Sequence, residues 1–153
     1  MMKRIIHIVF AAFALFACEE APTIIDEQSP VFTGNMTVRY EGEDFEQKGI
    51  KVLADFNEDK TMIDIKLQKV KFVPAMPVTI DVTILEIPVT EESDGTWSFY
   101  GDGITPWALG GPYDSYRVDS LTGTLSETGI SFSLDFYNTK KQAAYPTDYS
   151  GTR

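Results

Sequence analysis

The stretch that decides the fold is "VTIDVTIL", Val78 to Leu85, in which Val78, Ile80, Val82 and Ile84 alternate with Thr79, Asp81 and Thr83. Successive side chains of an extended chain point to opposite faces, so this pattern describes a strand with one face in a core and the other in water. The same period runs outward from it in both directions. "VFTGNMTVRY" (31–40) places Phe32, Gly34, Met36, Val38 and Tyr40 on one face, and "IKVLADFN" (50–57) does so with Ile50, Val52, Ala54 and Phe56. "MIDIKL" (62–67) continues through Ile63, Ile65 and Leu67, after which the apolar face passes to Val70 and Phe72. A slip of one residue in a two-residue period predicts a bulge or bend near Gln68-Lys69. Toward the C-terminus come Trp97 and Phe99 after a turn at Asp94-Gly95, then "SYRVDSLTGTL" (115–125), then "GISFSLDFYN" (129–138) with Ile130, Phe132, Leu134 and Phe136 inward. No stretch after residue 17 keeps a 3.6-residue period, so a helix of more than two turns is not expected.

Seven or eight strands joined by short turns imply an all-β fold, an antiparallel up-and-down meander of about eight strands. Such a meander closes into a barrel, which removes its exposed edges, or stacks as a sandwich. Greek-key crossovers need longer connections than most of those here, and the barrel is the expectation. Its inward residues, Phe32, Met36, Phe56, Phe72, Ile80, Phe132 and Phe136, either fill an eight-stranded barrel or line it around one small ligand. The last segment, "TKKQAAYPTDYSGTR" (139–153), departs from the alternation and reads as a polar C-terminal tail with at most one helical turn at Lys140 to Ala144.

The N-terminus has a different grammar. Lys3 and Arg4 precede an apolar run, Ile5 to Ala17, interrupted only by His7. That run is too short to cross about 30 Å of hydrocarbon, and it has the layout of a secretory signal peptide. It ends in Leu15-Phe16-Ala17-Cys18, which resembles a bacterial lipobox. By that resemblance, residues 1–17 are removed and Cys18, the one cysteine of the chain, carries the acyl chains that anchor the protein to a membrane. More than one acyl chain gives stable anchoring. Residues 18–30, with two prolines and four acids, read as an acidic flexible tether, leaving 31–138 as the barrel domain. Glu19-Glu20 beside the cysteine resemble an export signal to the outer face of the outer membrane; the alternative is simple tether polarity.

Cleavage would leave 11 basic and 23 acidic residues, a net charge near −12. Nucleic acid is excluded as a partner by that balance, since phosphates require basic patches. Loss of His7 with the leader removes the sole histidine, and with it Ser-His-Asp and Cys-His catalysis and zinc sites built on His or Cys. No cofactor is expected and the chain reads as a non-enzyme. The acidic clusters around Glu41–Glu46, Glu58-Asp59 and Glu91–Asp94 lack the spacing of a Ca²⁺-binding loop and read as solvated turns.

The residues singled out for binding are aromatic: Trp97, and Trp107, Tyr113 and Tyr116 on or beside the Gly- and Pro-rich loop "YGDGITPWALGGPYDSY" (100–116). Aromatics on a barrel's loops stack on a sugar ring, close a barrel mouth or meet a partner. For Trp107 the leading expectation is a plug at one end of the barrel.

Three landmarks, Gly34-x-Met36-Thr37-Val38, "VKFVPAMPVTIDV" (70–82) and "GDGITPWALGGPY" (101–113) followed by Leu121-Thr122-Gly123, give residues 32–137 a resemblance to the calycin-like domain of Bacteroidetes lipoproteins. The resemblance implies a lipocalin-like β-barrel on a lipidated outer-membrane protein, facing the periplasm or the cell surface. It brings no established ligand. The expectation is a barrel that binds a small apolar or amphiphilic molecule or a glycan, in its interior or at its mouth. The rival is a solid-cored module that meets another envelope protein through its loops.

Overall fold

The computed structural model describes residues 21–153; the leader, Cys18 and Glu19-Glu20 lie outside the described residues. Ten strands and no helix are present among them: β1 Val31–Tyr40, β2 Glu43–Phe56, β3 Met62–Val70, β4 Ile80–Glu91, β5 Trp97–Gly101, β6 Trp107–Ala108, β7 Gly111–Pro112, β8 Tyr116–Leu125, β9 Gly129–Asn138 and β10 Ala143–Thr152. Eight of them, β1, β2, β3, β4, β5, β8, β9 and β10, each pair antiparallel with the next, and β10 pairs with β1 to close the ring. The protein is therefore an up-and-down barrel of eight strands, with β6 and β7 as a small hairpin inserted between β5 and β8.

The alternation seen in the sequence is the inside and outside of this ring. Phe32, Met36, Phe72, Phe136, Ile63, Ile65, Leu67 and Ile84 are fully buried, and they belong to the core inside the barrel. Phe56, counted among the inward residues, is only half-buried because it lies at one rim.

Residues 139–153 are not a tail. Ala143 to Thr152 form β10, paired along its length with β9 and over six positions with β1. Its inward residues are Tyr145, Thr147, Tyr149 and Gly151. Two are polar or small rather than aliphatic, which is why the period escapes a reading of hydrophobicity alone. The Tyr149 ring covers Gly151, and its hydroxyl donates to the carbonyl of Ile50 at 2.9 Å and more weakly to that of Phe32 at 3.3 Å. These carbonyls flank an irregularity in the β1–β2 ladder at Gly34–Met36, where Gly49 takes φ +66°. Gly34 sits so close to β10 that a Cβ there would overlap the Ser150 carbonyl.

The slip expected at Gln68-Lys69 is a bulge in the β3–β4 ladder, with Lys69 at φ +54°. Two further bulges share its construction. Each has a non-glycine residue in the left-handed region whose N–H is accepted by an aspartate: Lys69 by Asp81 at 3.0 Å, Glu86 by Asp64 at 2.8 Å and Ser120 by Asp102 at 2.8 Å. The carboxylate supplies the acceptor that the broken ladder has withdrawn.

Asp64 does more. It faces outward on β3 yet is only 6% exposed, because Thr23 Oγ1 (2.9 Å) and the Ile24 N–H (3.1 Å) also donate to it. At the other end of the same segment, Ser29 Oγ donates to Asp55 at 2.8 Å. Residues 21–30, expected to be a loose tether, are thus a strap held against the outer wall of the barrel. The alternating pattern counts Asp64 as solvent-facing and cannot show that another piece of chain covers it.

Candidate functional site

The two ends of the barrel differ in chemistry. One end is closed by aromatic rings. Phe72, at the close of the β3 bulge, meets Phe136 at 4.4 Å and Tyr116 at 4.3 Å between ring centroids, and Tyr113 stacks on Tyr116 at 5.9 Å. Tyr40 and Tyr145 pack beside them at 5.4 Å. Burial pushes the Tyr116 phenol above its ordinary range, against a weaker pull from the Asn138 amide that donates to it.

The other end is an open mouth. It collects the β2–β3, β4–β5 and β8–β9 turns around a depression of about 350 Å³. Phe56 at the end of β2 and Trp97 at the start of β5 pack in its wall with centroids 4.8 Å apart. Lys60 Nζ lies over both rings, 5.7 Å from Phe56 and 6.0 Å from Trp97, a cation–π arrangement at an exposed rim. Phe32 and Leu125 form part of the lining below, while Asp55, Glu91, Glu127 and Arg153 line its polar part. Asp55 is engaged by Ser29 and by the Phe56 N–H. Three carboxylates against Lys60 and Arg153 leave the mouth net acidic.

The four aromatic candidates therefore occupy three places. Trp97 is at the mouth, and Tyr113 and Tyr116 seal the opposite end. Trp107 is not the plug. Its partner in the β4–β6 pairing is Thr83, whose side chain is on the outer face with Lys66 and Asp81, so the indole lies on the outer wall. There it borders a groove of about 280 Å³ between the β6–β7 hairpin and the strap residues Ala21, Thr23 and Ile25. Its Nε1 is buried with no hydrogen-bond partner among the described residues. Tyr113 and Tyr116 perform the sealing that the sequence assigned to Trp107.

Phe56 and Lys60 were not candidates from sequence, since Phe56 fits the core period and Lys60 sits in a charged turn. The signal available was topological: in a meander, the turns at 57–61 and 92–96 must fall at the same end, so Phe56, Lys60 and Trp97 converge. Among the described residues no group of three or more His, Cys, Asp or Glu is placed to hold a metal ion. No family model, no curated protein and no solved structure matches the chain.

Proposed function

We propose that this chain is a lipid-anchored, non-catalytic barrel module of the cell envelope that binds a neutral glycan or similar small amphiphile at the open mouth. The observation that carries this reading is the half-buried Phe56–Trp97 pair in the wall of a depression lined by carboxylates and an arginine. Aromatic faces offer the flat apolar surface on which the C–H face of a sugar packs, and Glu91, Glu127 and Arg153 supply acceptors and donors for hydroxyl groups. The acidic balance of the mouth disfavours anionic ligands. Because the barrel's interior is filled by its own side chains, the ligand belongs at the mouth rather than inside. Lys60 rests on the platform and is an exposed, flexible side chain that swings aside for a ring to stack.

The membrane anchor in this reading is Cys18, on the strength of the leader and lipobox pattern, and the compartment is the outer membrane. Replacing Cys18 with Ala is expected to release the protein from membranes. Binding is tested by titrating the protein with a panel of neutral oligosaccharides and following the heat of binding by calorimetry in wild type and Trp97→Ala. A saturable binding isotherm whose affinity weakens at least about tenfold in Trp97→Ala, some 1.4 kcal/mol, is expected. Binding that survives Trp97→Ala, or no binding across the panel, refutes the mouth as the site. The filled core also suits the rival reading, a module that docks another envelope protein, and an empty panel would favour it.

A further inference from the structure

We infer that the β6–β7 hairpin is a membrane-contacting foot: it sets Trp107 and Leu109 against the bilayer surface and turns the mouth away from it. This rests on the reading of Cys18 as the lipid anchor, and four observations support it.

The first is the course of the strap. Pro30 lines the mouth, Ser29 is tied to Asp55, and Thr23 and Ile24 are tied to Asp64, the third residue of β3 and the partner of Asp55 across the β2–β3 ladder. Ala21 then lies in the groove beside Lys66, Asp81 and Trp107–Gly110. Traced from Pro30 back to Ala21, the strap thus runs around the wall from the mouth and reaches the hairpin at the level of Lys66 and Thr83, partners across the β3–β4 ladder. Cys18 is three residues beyond Ala21, and covalent geometry keeps its Cα within about 11 Å of it in any conformation. An acyl group on Cys18 brings the bilayer to this side of the barrel.

The second is Leu109. It is 73% exposed, the most exposed large apolar residue of the described chain. With φ +54° followed by Gly110 at φ +83°, it occupies the first central position of a two-residue hairpin turn. Both positive φ angles suit the mirror-image type I turn, whose favoured pair is Asn-Gly. Leucine is unfavourable there on backbone grounds and, in water, on solvation grounds. One residue that breaks both rules gains something from its surroundings that water does not give.

The third is charge. The run Gly103 to Tyr113 carries no charged residue in a chain that is otherwise strongly acidic. The charges that line the groove beside the hairpin, Lys66 and Asp81, lie 4.0 Å apart and compensate each other. This surface meets lipid headgroups without the repulsion that the rest of the protein would feel. The fourth is Trp107, half-buried under the hairpin, a residue type that favours the membrane–water interface.

The test uses the full protein purified from cell envelopes and reconstituted in phosphatidylcholine–phosphatidylethanolamine vesicles with brominated acyl chains, which quench nearby indoles. Trp97→Phe leaves Trp107 as the reporter, and Trp107→Phe leaves Trp97. Mass spectrometry of the Cys18 peptide reports acylation separately. Quenching of Trp107 by about twofold or more, with Trp97 unaffected, is expected for a hairpin seated at the headgroup boundary. Leu109→Asp, at an exposed position whose backbone Asp tolerates, should keep the far-UV spectrum and lose the quenching. Equal quenching of the two tryptophans with Cys18 acylated overturns this inference alone. So does a hairpin unquenched by lipid whose Leu109→Asp change abolishes a dimer in sedimentation, which would make it a self-association surface. An unmodified Cys18 overturns the anchor reading and this inference with it.

Discussion

Asp64→Asn tests the argument that one aspartate holds both a bulge and the strap. Asp64 Oδ1 accepts the Glu86 N–H at 2.8 Å, and Oδ2 accepts Thr23 Oγ1 at 2.9 Å and the Ile24 N–H at 3.1 Å. An asparagine of the same shape keeps one acceptor oxygen and turns an NH₂ group toward the donors on the other side. Either the bulge or the strap then loses its acceptor and meets a second donor. Hydrogen bonds to a charged group are worth about 1.5–3 kcal/mol each, and a buried donor left unpaired costs about 1–3 kcal/mol. The expected loss is about 2–4 kcal/mol, a large share of the roughly 5–15 kcal/mol that stabilises a typical domain. Asp81→Asn and Asp102→Asn are the internal controls. Each carboxylate accepts a single bulge N–H at an exposed site, so each change should cost no more than about 1 kcal/mol. Urea unfolding followed by tryptophan fluorescence gives the stabilities, and limited proteolysis of residues 21–29 reports the strap. Asp64→Asn within about 0.5 kcal/mol of wild type, or no more destabilising than Asp81→Asn, would refute the reasoning.

Two further outcomes follow from β10. Deleting residues 143–153 removes the strand between β1 and β9 and opens the ring along two unpaired edges. Cooperative thermal unfolding should disappear from circular dichroism, and a shortened protein that still melts cooperatively would show that the last strand is dispensable. Burial pushes the Tyr149 phenol up to about 12 from its ordinary value of 10.0. The folded state thus holds the proton more tightly than the unfolded one; the contribution is whole below pH 10 and is lost as pH rises from 10 to about 12. Stability measured across that window should fall in wild type and fall less steeply in Tyr149→Phe.

Most of the wall was legible because its inward positions are aliphatic or phenylalanine, and a half-buried strand writes that pattern directly. The slip at Lys69 was legible for the same reason: a bulge changes the phase of a strong period. β10 was not, because Tyr145, Thr147, Tyr149 and Gly151 hold the inward positions, and tyrosine and threonine count for little on a hydrophobicity scale. The strap was hidden by a different mechanism. Residues 21–30 have no period of their own and are held by hydrogen bonds to Asp64 and Asp55, partners 26 to 41 residues away. At the mouth, Trp97 was identified singly, but its pairing with Phe56 and Lys60 depends on which turns share an end, which a residue-by-residue reading leaves out.

The excursion between β5 and β8 shows why these features belong together. β5 has five residues where its neighbours β4 and β8 have twelve and ten, so beyond Gly101 it cannot cover the gap between them. The chain closes that part of the wall with irregular backbone: Ile104 bridges to Val118, and β6 pairs with β4 at Thr83. A tight turn would have continued the barrel with fewer residues. The longer path turns Tyr113 inward onto Phe72 and Tyr116, sealing this end, and turns Trp107 and Leu109 outward beside the strap. Sealing depends on ring packing in the core, whereas of the hairpin only Ala108 joins the core and Trp107 and Leu109 make no part of it. The two roles are therefore separable by substitution. One loop closes the barrel at one end and meets the strap on the outer wall, and the opposite end remains the open one.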